Sequence, residues 1–90
     1  NDGTYFALKV KGSSMDKAGI LDGDIAVLRQ CSEVEDGQIV VAVLDEAVTL
    51  KRFYRENSRI RLQPENDEFK PIYCQDVHVL GVLSSIIRSY

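Results

Sequence analysis

The sequence predicts a mostly β single domain of about seven or eight short, mainly antiparallel strands built from hairpins. Three observations lead there. No stretch sustains the apolar period of about 3.6 residues that a core-facing helix needs. Short alternating or continuous apolar runs recur instead, each bounded by Gly, Pro, Asp or Asn. The chain has 90 residues, of which 44% are hydrophobic and 28% charged, enough for one core and ordinary for a globular domain. It contains no internal repeat, linker or low-complexity segment, so residues 1–90 read as one domain.

Thr4 to Lys11 is rich in β-formers and reads as a first strand, ended by Gly12, where the backbone can turn tightly into Ser13-Ser14-Met15. Asp16-Lys17-Ala18 suits a single helical turn stopped by Gly19. Leu21-Asp22-Gly23-Asp24 is a turn signal, followed by a short strand at Ile25–Leu28. Cys31 to Gly37 is an acidic connection. Gln38 to Leu44 is nearly continuously apolar, as in a strand covered on both faces. Asp45-Glu46 turns the chain into a partner strand, Ala47–Tyr54, making a hairpin. Arg55-Glu56-Asn57-Ser58 is a further turn, leading to the alternating, half-exposed run Arg59–Leu62. Pro64 to Pro71 is a proline-bounded loop whose Phe69 is expected to anchor it to the core. Ile72–Cys74 is a short strand. Val77–Leu83 with Ser84–Tyr90 forms the last strand, interrupted at Gly81, where a bulge or a close approach of backbone is expected.

Charge and composition exclude several classes. With 11 basic against 14 acidic residues the net charge is −3, which argues against nucleic-acid binding by this domain itself. Arg52, Arg55, Arg59 and Arg61 cluster around one hairpin and read as its solvated surface. No apolar run approaches the roughly 20 residues of a membrane span, and no signal peptide opens the chain. Cys31 and Cys74 are too few and too far apart for a zinc or redox motif. Free thiols in a reducing, cytoplasmic setting are expected, with a single disulfide as the alternative. His78 is the one histidine and reads as structural, so no histidine-rich metal site is possible and neither metal nor cofactor is expected. Because the chain starts at Asn1 rather than methionine, it reads as a piece of a longer protein.

The chemistry is carried by Gly12-Ser13-Ser14-Met15 and by Lys51. In the run Val48-Thr49-Leu50-Lys51-Arg52-Phe53, alternation puts Thr49, Lys51 and Phe53 on one strand face and Val48, Leu50 and Arg52 on the other. If the first face is buried, the amine loses solvent and its charged form is disfavoured. Deprotonating an ordinary lysine at pH 7 costs on the order of 4–5 kcal/mol, and burial can remove most of that penalty. A lysine so perturbed can act as general base toward a serine, with the Thr49 hydroxyl holding the amine. The alternative is an exposed strand lysine, far commoner than a base, on a β module whose serine and lysine are idle.

Four blocks in order resemble LexA-type self-cleaving repressors. Gly12-Ser13-Ser14-Met15 with Gly19-Ile20-Leu21-Asp22-Gly23-Asp24 is similar to the family's nucleophile region, and Val48-Thr49-Leu50-Lys51-Arg52 to its lysine strand. Leu62 to Ile72 resembles its proline-bounded loop, and Gly81-Val82-Leu83 its closing strand. The LexA and signal-peptidase-like β fold, shared with UmuD-type mutagenesis proteins and phage repressors, is what the resemblance implies. It also implies roles: Ser14 as nucleophile, Lys51 as general base, and the backbone N–H groups of Ser13 and Ser14 as oxyanion donors. Met15 would pack beneath the turn. A scissile Ala-Gly or Cys-Gly bond is expected in a loop before the nucleophile. Ala18-Gly19 follows Ser14 in the turn that shapes the site and is no substrate. The chain is thus expected to lack both the cleavage loop and the DNA-binding domain. The expected partners are a second copy, through Ile86–Tyr90, and the RecA filament on single-stranded DNA as co-protease. Operator DNA would be bound only through the absent N-terminal domain. The alternatives are a UmuD-like polymerase accessory protein, a phage-type repressor and the idle β dimerisation module.

Overall fold

The computed structural model describes residues 3–90. Its strands are β1 (Tyr5–Lys9), β2 (Ile25–Arg29), β3 (Ile39–Leu44), β4 (Ala47–Glu56), β5 (Arg59–Gln63), β6 (Ile72–Cys74) and β7 (His78–Ile87). The only helical element among the described residues is one 3-10 turn, Asp16–Ala18, closed by Gly19 at φ 79°. All seven strands form one antiparallel sheet in the order β1-β2-β7-β3-β4-β5-β6. The last strand of the chain therefore sits in the middle and joins the β1–β2 hairpin to the β3–β6 meander.

The sheet is built around β3 and β7. Val40, Val41 and Ala42 are fully buried, as their continuous apolar run predicts. Val41 belongs to one apolar cluster, with Met15, Ile20, Ala26 and Leu28. Val40 and Ala42 belong to another, with Phe53, Leu62 and Val82. β7 serves both halves by carrying two irregularities. Its register slips opposite Val27/Leu28 and again opposite Val41/Ala42, so that Ser84 and Leu80 are each left without a partner. Such bulges bend a strand and increase its twist. Gly81 lies beside the second one for a steric reason. A Cβ there would come 2.9 Å from the Arg29 carbonyl oxygen and 2.9 Å from the Phe6 ring.

The Asp45-Glu46 hairpin forms where the sequence places it, with Leu44 paired to Ala47. Both turn residues have positive φ, 51° and 67°, as a two-residue hairpin with right-handed strand twist demands. Other expectations need correction. β4 continues to Glu56, beyond Tyr54, and β1 is shorter than Thr4–Lys11. β7 ends at Ile87. Phe69 is 43% exposed and belongs to neither apolar cluster; polar contacts hold its loop on the serine turn. The arginine cluster is more than a solvated surface. Arg59 and Arg61 both pair with the Glu56 carboxylate and stack over Tyr73 and Tyr54, while Arg55 covers Phe53. Both cysteines are free thiols.

Two substitutions test this framework. Gly81→Ala should cost about 1–3 kcal/mol in urea unfolding, because the backbone at Arg29 cannot yield as a flexible side chain could. Glu46→Gly should stabilise by about 1 kcal/mol, since glycine relieves the left-handed strain of a side chain at that position.

Candidate active site

The serine turn begins where β1 ends. Val10 exchanges backbone hydrogen bonds with the loop below it: its N–H donates to the Asp24 carbonyl (2.8 Å), and its carbonyl accepts from Gly23 N–H (2.9 Å). Gly12 adopts φ 86°, open only to glycine at low cost, and its N–H donates to the Asp22 carboxylate (2.6 Å). The chain then folds over Met15, which is 2% exposed and carries the turn on the apolar cluster. The Met15 carbonyl accepts from Ala18 N–H and Ile20 N–H. The returning arm is fixed by Asp24, which accepts from Leu21 N–H (2.7 Å) and receives both Nε and a terminal nitrogen of Arg88, each at 2.7 Å. Arg88 also donates to the Gly19 carbonyl (2.8 Å). The guanidinium, with help from the Leu21 N–H, holds the Asp24 carboxyl down at about 2.

Lys51 reaches this turn from β4. Its backbone pairs with Val40, a fully buried residue of β3, and Lys51 is only 9% exposed. The Nζ donates to Thr49 Oγ1 (2.6 Å) and to Ser14 Oγ (3.2 Å). Among the described residues no carboxylate pairs with it. Burial without a compensating charge pushes the Lys51 pKa below the ordinary 10.5. Ser14, Lys51 and Thr49 thus meet in one place, with Met15 beneath them and Ser13 alongside. His78 lies elsewhere, exposed at the start of β7.

The three polar groups open into a cleft of about 470 Å³, lined on one side by Leu8–Gly12 and on the other by Val48–Lys51. The backbone borders it with free edges. β1 is an outer strand, and β4 meets β5 only from Arg52 onward, which leaves 47–51 unpaired on that side among the described residues. No cluster of three or more metal-ligating side chains occurs among the described residues.

The loop between Pro64 and Pro71 docks on the same turn, which nothing local in the sequence signals. Glu65 N–H donates to the Ser14 carbonyl (2.8 Å), Lys17 N–H donates to the Glu65 carbonyl (2.7 Å), and Asn66 Nδ2 donates to the Ser13 carbonyl (2.7 Å). Arg52, next to the lysine, ties Glu65 (3.2 Å) to the Gly37 carbonyl (2.6 Å). Asp22, Asp24, Arg52, Glu65, Asn66 and Arg88 therefore join Ser14 and Lys51 as parts of the site. Proline bounds and an Asn in a turn were the only traces of the loop's role.

A one-sheet β domain with a serine turn pressed against a buried strand lysine defines the class, and the chain belongs to the Peptidase S24-like family, whose model matches residues 1–84. The particular proteins it is similar to are LexA repressors. That of Desulfitobacterium hafniense is 52% identical over 88 residues, 98% of this chain and 43% of the relative. That of Clostridium botulinum is 51% identical over 90 residues, 100% and 45% respectively. The Clostridium perfringens repressor is 51% identical over 85 residues, 94% and 42%. The chain spans less than half the length of these relatives.

The lysine's environment makes a prediction about stability. Its folded pKa is lowered, so between that value and 10.5 the unfolded chain binds more protons than the folded one. Stability from this group is lowest below the folded pKa and rises as pH climbs toward 10.5. Lys51→Met should therefore raise the melting temperature at pH 7, and the gain should shrink as pH approaches 10. A uniform loss of stability at both pH values would contradict it.

Proposed function

We propose that this chain is the self-cleaving peptidase domain of a LexA-type repressor, with Ser14 as nucleophile and Lys51 as general base. The observation that carries this reading is the buried Lys51 amine at 3.2 Å from Ser14 Oγ, with the Thr49 hydroxyl at 2.6 Å on its other side. A neutral amine has two N–H bonds and one lone pair. With one N–H given to Thr49, the lone pair is free to take the Ser14 proton.

The reaction follows in balanced steps. Ser14 Oγ bonds to the scissile carbonyl carbon as its proton passes to Lys51 Nζ. The carbonyl oxygen becomes an oxyanion, for which the N–H groups of Ser13 and Ser14 are the donors; neither donates to another acceptor among the described residues. The C–N bond then breaks, and the Lys51 ammonium returns the proton to the leaving amine. An ester on Ser14 remains. Water attacks it, giving one proton to Lys51, which passes it to Ser14 Oγ as the ester C–O bond breaks; the new carboxylic acid leaves and ionises by losing its remaining proton to solvent. No histidine is needed.

The substrate is an extended peptide of the same protein, lying between the free edges of β1 and 47–51 so that backbone hydrogen bonds fix its register. The bond cut lies in the parent's own linker, and cutting it separates a DNA-binding half from this half. Loss of the link between two half-site contacts lowers operator affinity. Cleavage is stimulated by the RecA–single-stranded DNA filament as part of the response to DNA damage. The repressor acts as a cytoplasmic homodimer, through the segment ending in the exposed Ile87 and Tyr90.

In the full-length protein, Ser14→Ala and Lys51→Ala should each lower self-cleavage by about 10⁴-fold or more. The wild-type rate should climb with pH and level off once the amine is neutral, because only the free base accepts the serine proton. Gel-based cleavage assays across pH read both outcomes. Undiminished cleavage by Lys51→Ala would remove the lysine from the mechanism.

A further inference from the structure

We propose that Asn66 is a positioning residue for this reaction: by donating to the Ser13 carbonyl, it aims the Ser14 N–H at the forming oxyanion. The inference rests on the peptidase reading above. Its basis is the geometry of one peptide unit. The Ser13 carbonyl and the Ser14 N–H belong to the same rigid plane and point in opposite directions. Whatever holds the carbonyl oxygen on one side fixes where the N–H points on the other. Two donors hold that oxygen, the Asn66 amide at 2.7 Å and Asp16 N–H at 3.2 Å. The shorter comes from a residue 53 positions away. The Ser14 N–H, meanwhile, is engaged with no acceptor among the described residues. One face of the peptide is thus tied down and the other left with an unspent donor beside the nucleophile, as preorganised stabilisation of charge requires.

Asn66 is itself rigidly set. Its Oδ1 accepts Glu68 N–H (2.9 Å) and its carbonyl accepts Phe69 N–H (3.1 Å), so the amide group has one face turned to its own loop and one to the serine turn. The residue before it is fixed to Ser14 and Lys17 by backbone bonds and to Arg52 by its carboxylate. Asn is suited to the position because one side chain must accept on one atom and donate on the other. Aspartate has the same shape and can still accept from Glu68, but ionised it cannot donate to a carbonyl.

The test compares Asn66→Asp and Asn66→Ala with wild type in the full-length protein, measuring self-cleavage rate against pH and thermal melting in parallel. Both variants should lower the maximal rate by roughly 10- to 100-fold, less than outright removal of an oxyanion donor, because the N–H is misaimed rather than absent. In Asn66→Ala the pH midpoint should stay at the wild-type value, since no charge is added near the base, and both variants should remain folded at the assay temperature. A wild-type maximal rate in either variant would overturn the proposal. So would a displaced midpoint with an unchanged maximum, which would put Asn66 on the base. Unfolding of both variants would also overturn it, by making the contact one that serves the fold. Ser14→Ala in the same assay separates the two readings, because cleavage persisting there would defeat the peptidase function itself and not only the role of Asn66.

Discussion

A primary amine buried against a β-sheet is the constraint that the site depends on. Water solvates an ammonium far better than a protein interior does, and the usual remedy is a carboxylate partner. Lys51 has none among the described residues; its neighbours are the hydroxyls of Thr49 and Ser14. Hydroxyls satisfy the amine in either protonation state without adding an opposite charge. A carboxylate in the same place would raise the pKa and end any use of the lysine as a base near neutral pH. Backbone pairing with Val40 fixes the side chain's face, because moving Lys51 to the other face would require a register slip of β4 that turns the buried Phe53 out with it.

Around that fixed amine the serine turn must be held to within hydrogen-bond distance, and the contacts that hold it differ in weight. The Lys17–Asp67 pair is short, 2.6 Å, but its side chains are 60% and 86% exposed, so it contributes about 0–1 kcal/mol. Arg88 on Asp24 is of another kind: two parallel bonds at 2.7 Å to a carboxylate in a residue 2% exposed, with a third bond to Gly19. It fastens the end of β7 to the arm returning from the serine turn. The Pro64–Pro71 loop fastens the opposite side through Glu65 and Asn66, and Arg52 links that loop back to the strand that carries the lysine. The serine turn and the lysine are therefore joined by polar contacts on both flanks as well as by the core beneath Met15.

How much of this could be read from residues alone follows from the range of each interaction. The Asp45-Glu46 hairpin, the doubly covered β3 and the shared face of Thr49, Lys51 and Phe53 were legible, because strand periodicity and turn chemistry are local; which face is buried came only from the fold. Gly81 was legible as an anomaly, though its cause, the Arg29 carbonyl and Phe6 ring, lies across the sheet. The pairing of Arg88 with Asp24 spans 64 positions and that of Asn66 with Ser13 spans 53, and no local pattern encodes either. Phe69 misled because an aromatic in a loop usually seeks the core. Here backbone and amide bonds already anchor the loop, and the ring stays partly exposed outside the core. The ends of β1, β4 and β7 shifted by a few residues for a similar reason: strand pairing decides where a strand stops, and β-propensity does not.

The most direct test is the titration of Lys51 itself, followed by the chemical shift of its ε-carbon in lysine-labelled protein and assigned with Lys51→Met. A midpoint below 10.5 that returns to the ordinary value on unfolding is the expected result. A folded-state midpoint at or above 10.5 would contradict the assignment of this amine as a base, however close it lies to Ser14.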